Sequence, residues 1–139
     1  MNMKRIYPII LFFVLFSSAL FAAGNDNPTT GLTEIANGFT SAGDGNHTIH
    51  LYTANGKLTR GYNEIFIATT DSEGYFVDDF LYIGFTPLMN MGAMKHSTPI
   101  GKVEKVEGKA LYKTWFSFLM AGSWILDINY TTNDLTEVI

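Results

Sequence analysis

Four residues in one short stretch have the chemistry to share a metal ion. In PLMNMGAMKHSTP, Pro87 to Pro99, Met89, Met91 and Met94 are followed by His96. The chain has six methionines; Met1 and Met3 stand at its start, and the sixth is Met120. A thioether is neutral, soft and unprotonated at any biological pH. It therefore suits a soft monovalent ion such as Cu(I) and holds Zn²⁺ or Mg²⁺ poorly. Imidazole accepts either oxidation state of copper. The chain has no cysteine, so a soft-metal site here has only Met and His to draw on.

The spacing fits such a site. Residues two apart on a strand leave the same face, so Met89 and Met91 form one pair and Met94 and His96 another. Gly92 lets the chain turn between them, and the second pair then folds back on the first. The same spacing also fits plain packing. Met89 and Met91 continue an apolar face, and Met is a flexible filler where a core meets its rim. Met120, in FSFLMAGSW, is expected at the end of another strand, from which it reaches either the cluster or the core. Trp115 and Trp124 are expected in the core. His47 and His50 are three apart and point to opposite strand faces, so they make no natural ligand pair.

The elements that must position these residues are strands. Charged residues make up only 16% of the chain and hydrophobic ones 47%, which argues against disorder. Thr, Tyr, Phe and Ile are frequent, and these favour pleated, half-buried surfaces. Short apolar runs alternate with turn signals from Gly31 onward. Strands are expected over about His47 to Thr53, Tyr62 to Thr70 and Phe80 to Met91, with Asn55-Gly56 as a tight turn. In the third, Leu81, Ile83, Phe85, Pro87, Met89 and Met91 share the apolar face. GKVEKVEGK reads as a charged edge segment. ALYKTWFSFLM places Tyr112, Thr114, Phe116, Phe118 and Met120 on one face, and WILDINY alternates Trp124, Leu126, Ile128 and Tyr130 with polar residues. About seven strands in roughly 115 residues fit an immunoglobulin-like β-sandwich; a small barrel is the competing architecture.

The first 23 residues read as a signal peptide: Lys4 and Arg5, an uncharged apolar run from Ile9 to Phe21, then small residues at Ala22 and Ala23. That run is shorter than the ~20 residues of a spanning helix, so no stable membrane insertion is expected after cleavage. Residues 24–30 read as a flexible lead, 31–132 as the sandwich domain and 133–139 as a tail. The expected location is extracytoplasmic, periplasmic or secreted. Without Lys4 and Arg5 the nine basic residues fall to seven against thirteen acidic ones, a formal charge of −6. An acidic surface repels phosphate backbones, so nucleic acid is not expected as a partner. Asp78-Asp79 reads as a solvated turn, because two adjacent carboxylates lack the rest of a Ca²⁺ loop. Ser97 and Ser117 lie in no nucleophile-elbow context. No enzyme is expected.

GYNEIFIATTDSEG, LMNMGAMKHSTPIG and GKALYKTWFSFLMAGSWILDINY together resemble the YtkA-like domain family, which is related to FixH-type and copper-resistance-type extracytoplasmic modules. The resemblance runs from roughly Gly56 to Tyr130. It rests on Gly61 and Asn63, on Met89, Met91, Met94 and His96, and on Phe118, Met120, Ala121, Gly122, Trp124 and Leu126. It implies an immunoglobulin-like sandwich and copper handling, with a copper exporter or oxidase-assembly protein as partner. The expected function is a Cu(I) carrier or buffer that uses the Met-rich loop, with Cu(II) or Ag(I) as related cargo. The alternative is a metal-free accessory domain that binds a protein partner in the cell envelope.

Overall fold

A computed structural model describes residues 27–35, 39–40, 45–133 and 137–138. The signal peptide and the start of the lead lie outside the described residues. Residues Asn27–Thr30 form a turn in which Asn27 Oδ1 accepts from the Thr29 backbone N–H at 3.0 Å and its hydroxyl at 2.7 Å.

Among the described residues ten strands follow in order: β1 (Thr33–Glu34), β2 (Phe39–Thr40), β3 (Thr48–Thr53), β4 (Gly61–Thr70), β5 (Phe80–Met91), β6 (Met94–Ser97), β7 (Glu104–Lys105), β8 (Tyr112–Phe118), β9 (Trp124–Thr132) and β10 (Glu137–Val138). They build two antiparallel sheets. One has the order β1-β3-β4-β8-β7, with β2 also on β3, and the other has the order β10-β9-β5-β6. No helix occurs among the described residues. The strand count exceeds seven because β1, β2 and β10 are two-residue pairings at sheet edges, too short for any alternation to betray, and because β6 was not expected; β7 falls in the charged edge segment GKVEKVEGK.

The two sheets pack face to face through Ile49, Leu51, Ile65, Ile67, Tyr112 and Phe116 from the first and Ile83, Phe85 and Tyr130 from the second. Each fully buried aliphatic or aromatic side chain contributes about 1.5–3 kcal/mol, so this layer holds the cysteine-free chain together. A second cluster forms on the outer face of the first sheet, where Tyr52, Ala68 and Leu111 are covered by Leu32, Phe66, Phe76 and Val106. Burial, followed by the nearby Glu34 carboxylate, raises the Tyr52 phenol above its ordinary value.

Two expectations about facing need correction. Leu81 is 59% exposed, although it was expected on the apolar face of β5. The β5–β9 register slips between Phe80 and Tyr82. That bulge adds one residue and reverses the alternation, so Phe80 turns to the core in place of Leu81. Trp115 is not core either. It lies on the outer face of β8, 38% exposed, stacked on Tyr62 with ring centroids 5.8 Å apart.

Asp78-Asp79 is an anchor rather than a solvated turn. Asp78 accepts from the Tyr112 hydroxyl at 2.7 Å and pairs with Lys105. The Asp79 carbonyl accepts from the Asn133 backbone N–H at 2.7 Å. Burial, then the hydrogen bond to Asp78, pushes the Tyr112 phenol well above its ordinary range.

Past β6 the chain changes sheets. Thr98 donates its hydroxyl to the Ser117 carbonyl. The Pro99 carbonyl then accepts from the Ser117 N–H at 3.3 Å, and the Gly101 N–H donates to the Trp115 carbonyl at 2.7 Å. Residues 99–105 thus run along β8 in the first sheet, while β6 belongs to the second.

Candidate metal centre

The β5–β6 hairpin closes through Gly92-Ala93. Gly92 has φ of 78°, the positive φ that a two-residue turn with Gly first requires. The register pairs Met91 with Met94 and Met89 with His96. Directly opposed residues of an antiparallel pair share a face, with Cβ atoms ~4.5–5.5 Å apart. All four candidate ligands therefore stand on one face of the hairpin, as two cross-strand pairs one above the other. Lys95 and Ser97 belong to the opposite face.

The face is the one that β5 turns toward the core, and exposure rises steeply along it. Met89 is 6% exposed, Met91 50% and Met94 61%; His96 is also exposed. One thioether is thus anchored in the protein, while two thioethers and an imidazole lie open beside it. Met has three side-chain torsions, so the open sulfurs can swing toward a common point without moving the backbone.

The loop between β8 and β9 borders this face. Met89 pairs across β9 with Trp124, whose indole N–H donates to the Met120 carbonyl at 3.3 Å. The Trp124 ring lies 4.9 Å from that of Phe118. A side chain at Gly122 would meet the Met89 methyl group at 2.0 Å, so glycine there leaves the room that the Met89 thioether fills. Met120 itself is 40% exposed and sits in the loop, because β8 stops at Phe118.

The other two histidines are engaged elsewhere. His50 places Nδ1 2.9 Å from Glu34 Oε1 and Nε2 3.1 Å from Thr70 Oγ1. His47 packs edge-on against Phe80 and Tyr130, with Nε2 3.6 Å from Asp79 Oδ2. Among the described residues no three His, Asp or Glu side chains gather as a metal-binding group. The donors that the register gathers on the hairpin face are thioethers and an imidazole, a set suited to a soft ion.

Gly61 and Asn63 have a local structural role. The Asn63 amide donates to the Thr59 and Gly61 carbonyls at 2.7 and 2.8 Å and accepts from the Thr59 N–H at 2.7 Å, which fixes the entry to β4.

No protein family, curated protein or solved structure matches this chain.

Proposed function

We propose that this protein is an extracytoplasmic carrier or buffer for Cu(I), which it binds on the hairpin face formed by Met89, Met91, Met94 and His96. The observation that carries this reading is the β5–β6 register, which gathers all four side chains on one face. Three thioethers and one imidazole match a soft monovalent ion, and two of the thioethers are open for an ion to enter or leave. Met120 and Trp124 lie at the margin of the site, where Met120 adds a further thioether and the indole a π-face. The two-sheet architecture fits the immunoglobulin-like sandwich of YtkA-like domains, and the same resemblance supplies a copper exporter or oxidase-assembly protein as the recipient.

Anaerobic Cu(I) titration against a chromophoric chelator tests this reading. One equivalent is expected to bind. Replacing Met89, Met91 and Met94 together by Leu is expected to weaken binding by about 100-fold, ~2.7 kcal/mol. Unchanged affinity in that variant overturns the site.

A second reading has one observation in its favour. Met91, Met94, Leu119 and Met120 are all exposed, and flexible Met side chains make adaptable contacts with a protein partner. A metal-free accessory domain predicts no stoichiometric Cu(I) binding by the unsubstituted protein.

A further inference from the structure

The strand change after β6 leaves half of β5 with a single neighbour. β6 pairs with β5 only from Leu88 to Met91, whereas β9 runs beside β5 from Phe80 to Met89. Among the described residues no strand pairs with the other edge of Phe80–Pro87. Instead, the segment that would have continued β6 lies across the gap on β8. Between the two is a cavity of about 730 Å³. Its walls include the whole run from Phe80 to Thr86 on one side and Ile100 to Val103 on the other.

The hairpin fixes which backbone groups face this cavity. The residues flanking a two-residue turn exchange both hydrogen bonds, so Met91 and Met89 direct their N–H and C=O groups toward β6. Alternation then directs those of Pro87, Phe85 and Ile83 to the same side. Pro87 has no N–H to offer, which is how proline is tolerated at an open edge. Phe85 and Ile83 each present a donor and an acceptor. Natural edges are usually blunted with charge, but FLYIGFT, from Phe80 to Thr86, carries none.

We propose that this slot receives an extended segment of a partner protein, which adds to β5 as a strand. The occupant is about six residues long at ~3.3 Å per residue, with alternating apolar side chains and at least one carboxylate. The apolar alternation answers Ile83, Phe85, Val103 and Tyr112 in the walls. The carboxylate answers the rim, where Lys102 and Lys105 face a single acid, Asp78. The slot reading does not depend on copper. A segment docked at Ile83 to Pro87 ends two residues from Met89, beside the hairpin face.

The test is amide hydrogen exchange on the metal-free protein, with and without the blocked heptapeptide Glu-Val-Thr-Val-Thr-Val-Glu. In the protein alone, the Ile83 and Phe85 amides are expected to exchange faster than those of Gly84 and Thr86, which face β9. Peptide at about nine times its Kd is expected to slow the first two about tenfold. A version N-methylated at alternate residues is expected to have no effect, and Lys102→Glu is expected to weaken binding several-fold. Ile83 and Phe85 amides that are already protected in the protein alone overturn the proposal. So does protection that grows with protein concentration, which marks a second copy as the occupant. An equal effect of the N-methylated peptide, or no effect of the parent peptide at millimolar concentration, overturns it as well.

Discussion

β5 is two different strands on either side of Pro87. From Phe80 to Pro87 its inner side chains are locked between the sheets, yet one backbone edge is open. At Leu88 and Met89 both edges are paired and at Asn90 and Met91 the β6 edge is, yet the face leads out into solvent through Met91 and on to Met94. Packing and pairing are therefore divided between the halves. The first half holds the sandwich together and leaves backbone groups to offer. The second adds little to the core and offers side chains.

This division can be broken most forcefully at Phe85, which is 2% exposed and lies 5.4 Å from the Phe116 ring. Phe85→Ala is expected to cost about 3–5 kcal/mol in urea unfolding and to leave Cu(I) affinity unchanged in the protein that stays folded. Parallel loss of affinity would show that the halves are coupled.

A smaller effect is expected at Tyr112, which packs on Phe80 and clamps Asp78. Tyr112→Phe removes one hydrogen bond and is expected to cost about 1 kcal/mol at neutral pH. Its phenol is held protonated in the folded state, with its pKa raised above the ordinary value of about 10. The unfolded chain releases that proton first. The stabilisation is therefore complete below pH 10 and drains away as pH rises beyond it. Urea midpoints across that range are expected to fall less steeply in the variant. Tyr52 shifts in the same direction, so some alkaline loss remains.

The smallest effect on stability belongs to the outer half. Met91→Leu with Met94→Leu is expected to change the unfolding free energy by less than about 0.5 kcal/mol. A cost well above that would identify the two thioethers as packing groups rather than ligands.

Much of this arrangement was legible in the sequence. The bounds of β5 and the alternation of β8 and β9 follow from apolar period. The tight turn expected at Asn55-Gly56 is instead a bend inside the longer loop 54–60 between β3 and β4, where the Lys57 N–H donates to Thr53 Oγ1 and Asn55 Oδ1. The Met and His spacing, with Gly92 between the pairs, already implied two arms. Four exposed residues, MKHS, carry no apolar alternation, so β6 and its register were visible only through pairing. The bulge at Phe80 had no Gly or Pro to announce it; the ring contacts of Phe80 with Tyr130 and Tyr112 accompany the reversal. The change of sheets at Thr98 was equally hidden, because it is fixed by bonds to Ser117 and Trp115 far along the chain.

The contact between Gly122 and the Met89 methyl has a consequence for how the hairpin ages. In an oxidising compartment thioethers become sulfoxides, and accessible ones react first. Met91 and Met94 stand in the path of a peroxide, while Met89 is roofed by the loop that Gly122 keeps close. Oxidative damage to this face is therefore graded: the two outer sulfurs are spent before the inner one. Sulfoxide reduction can restore them while the anchored thioether stays intact.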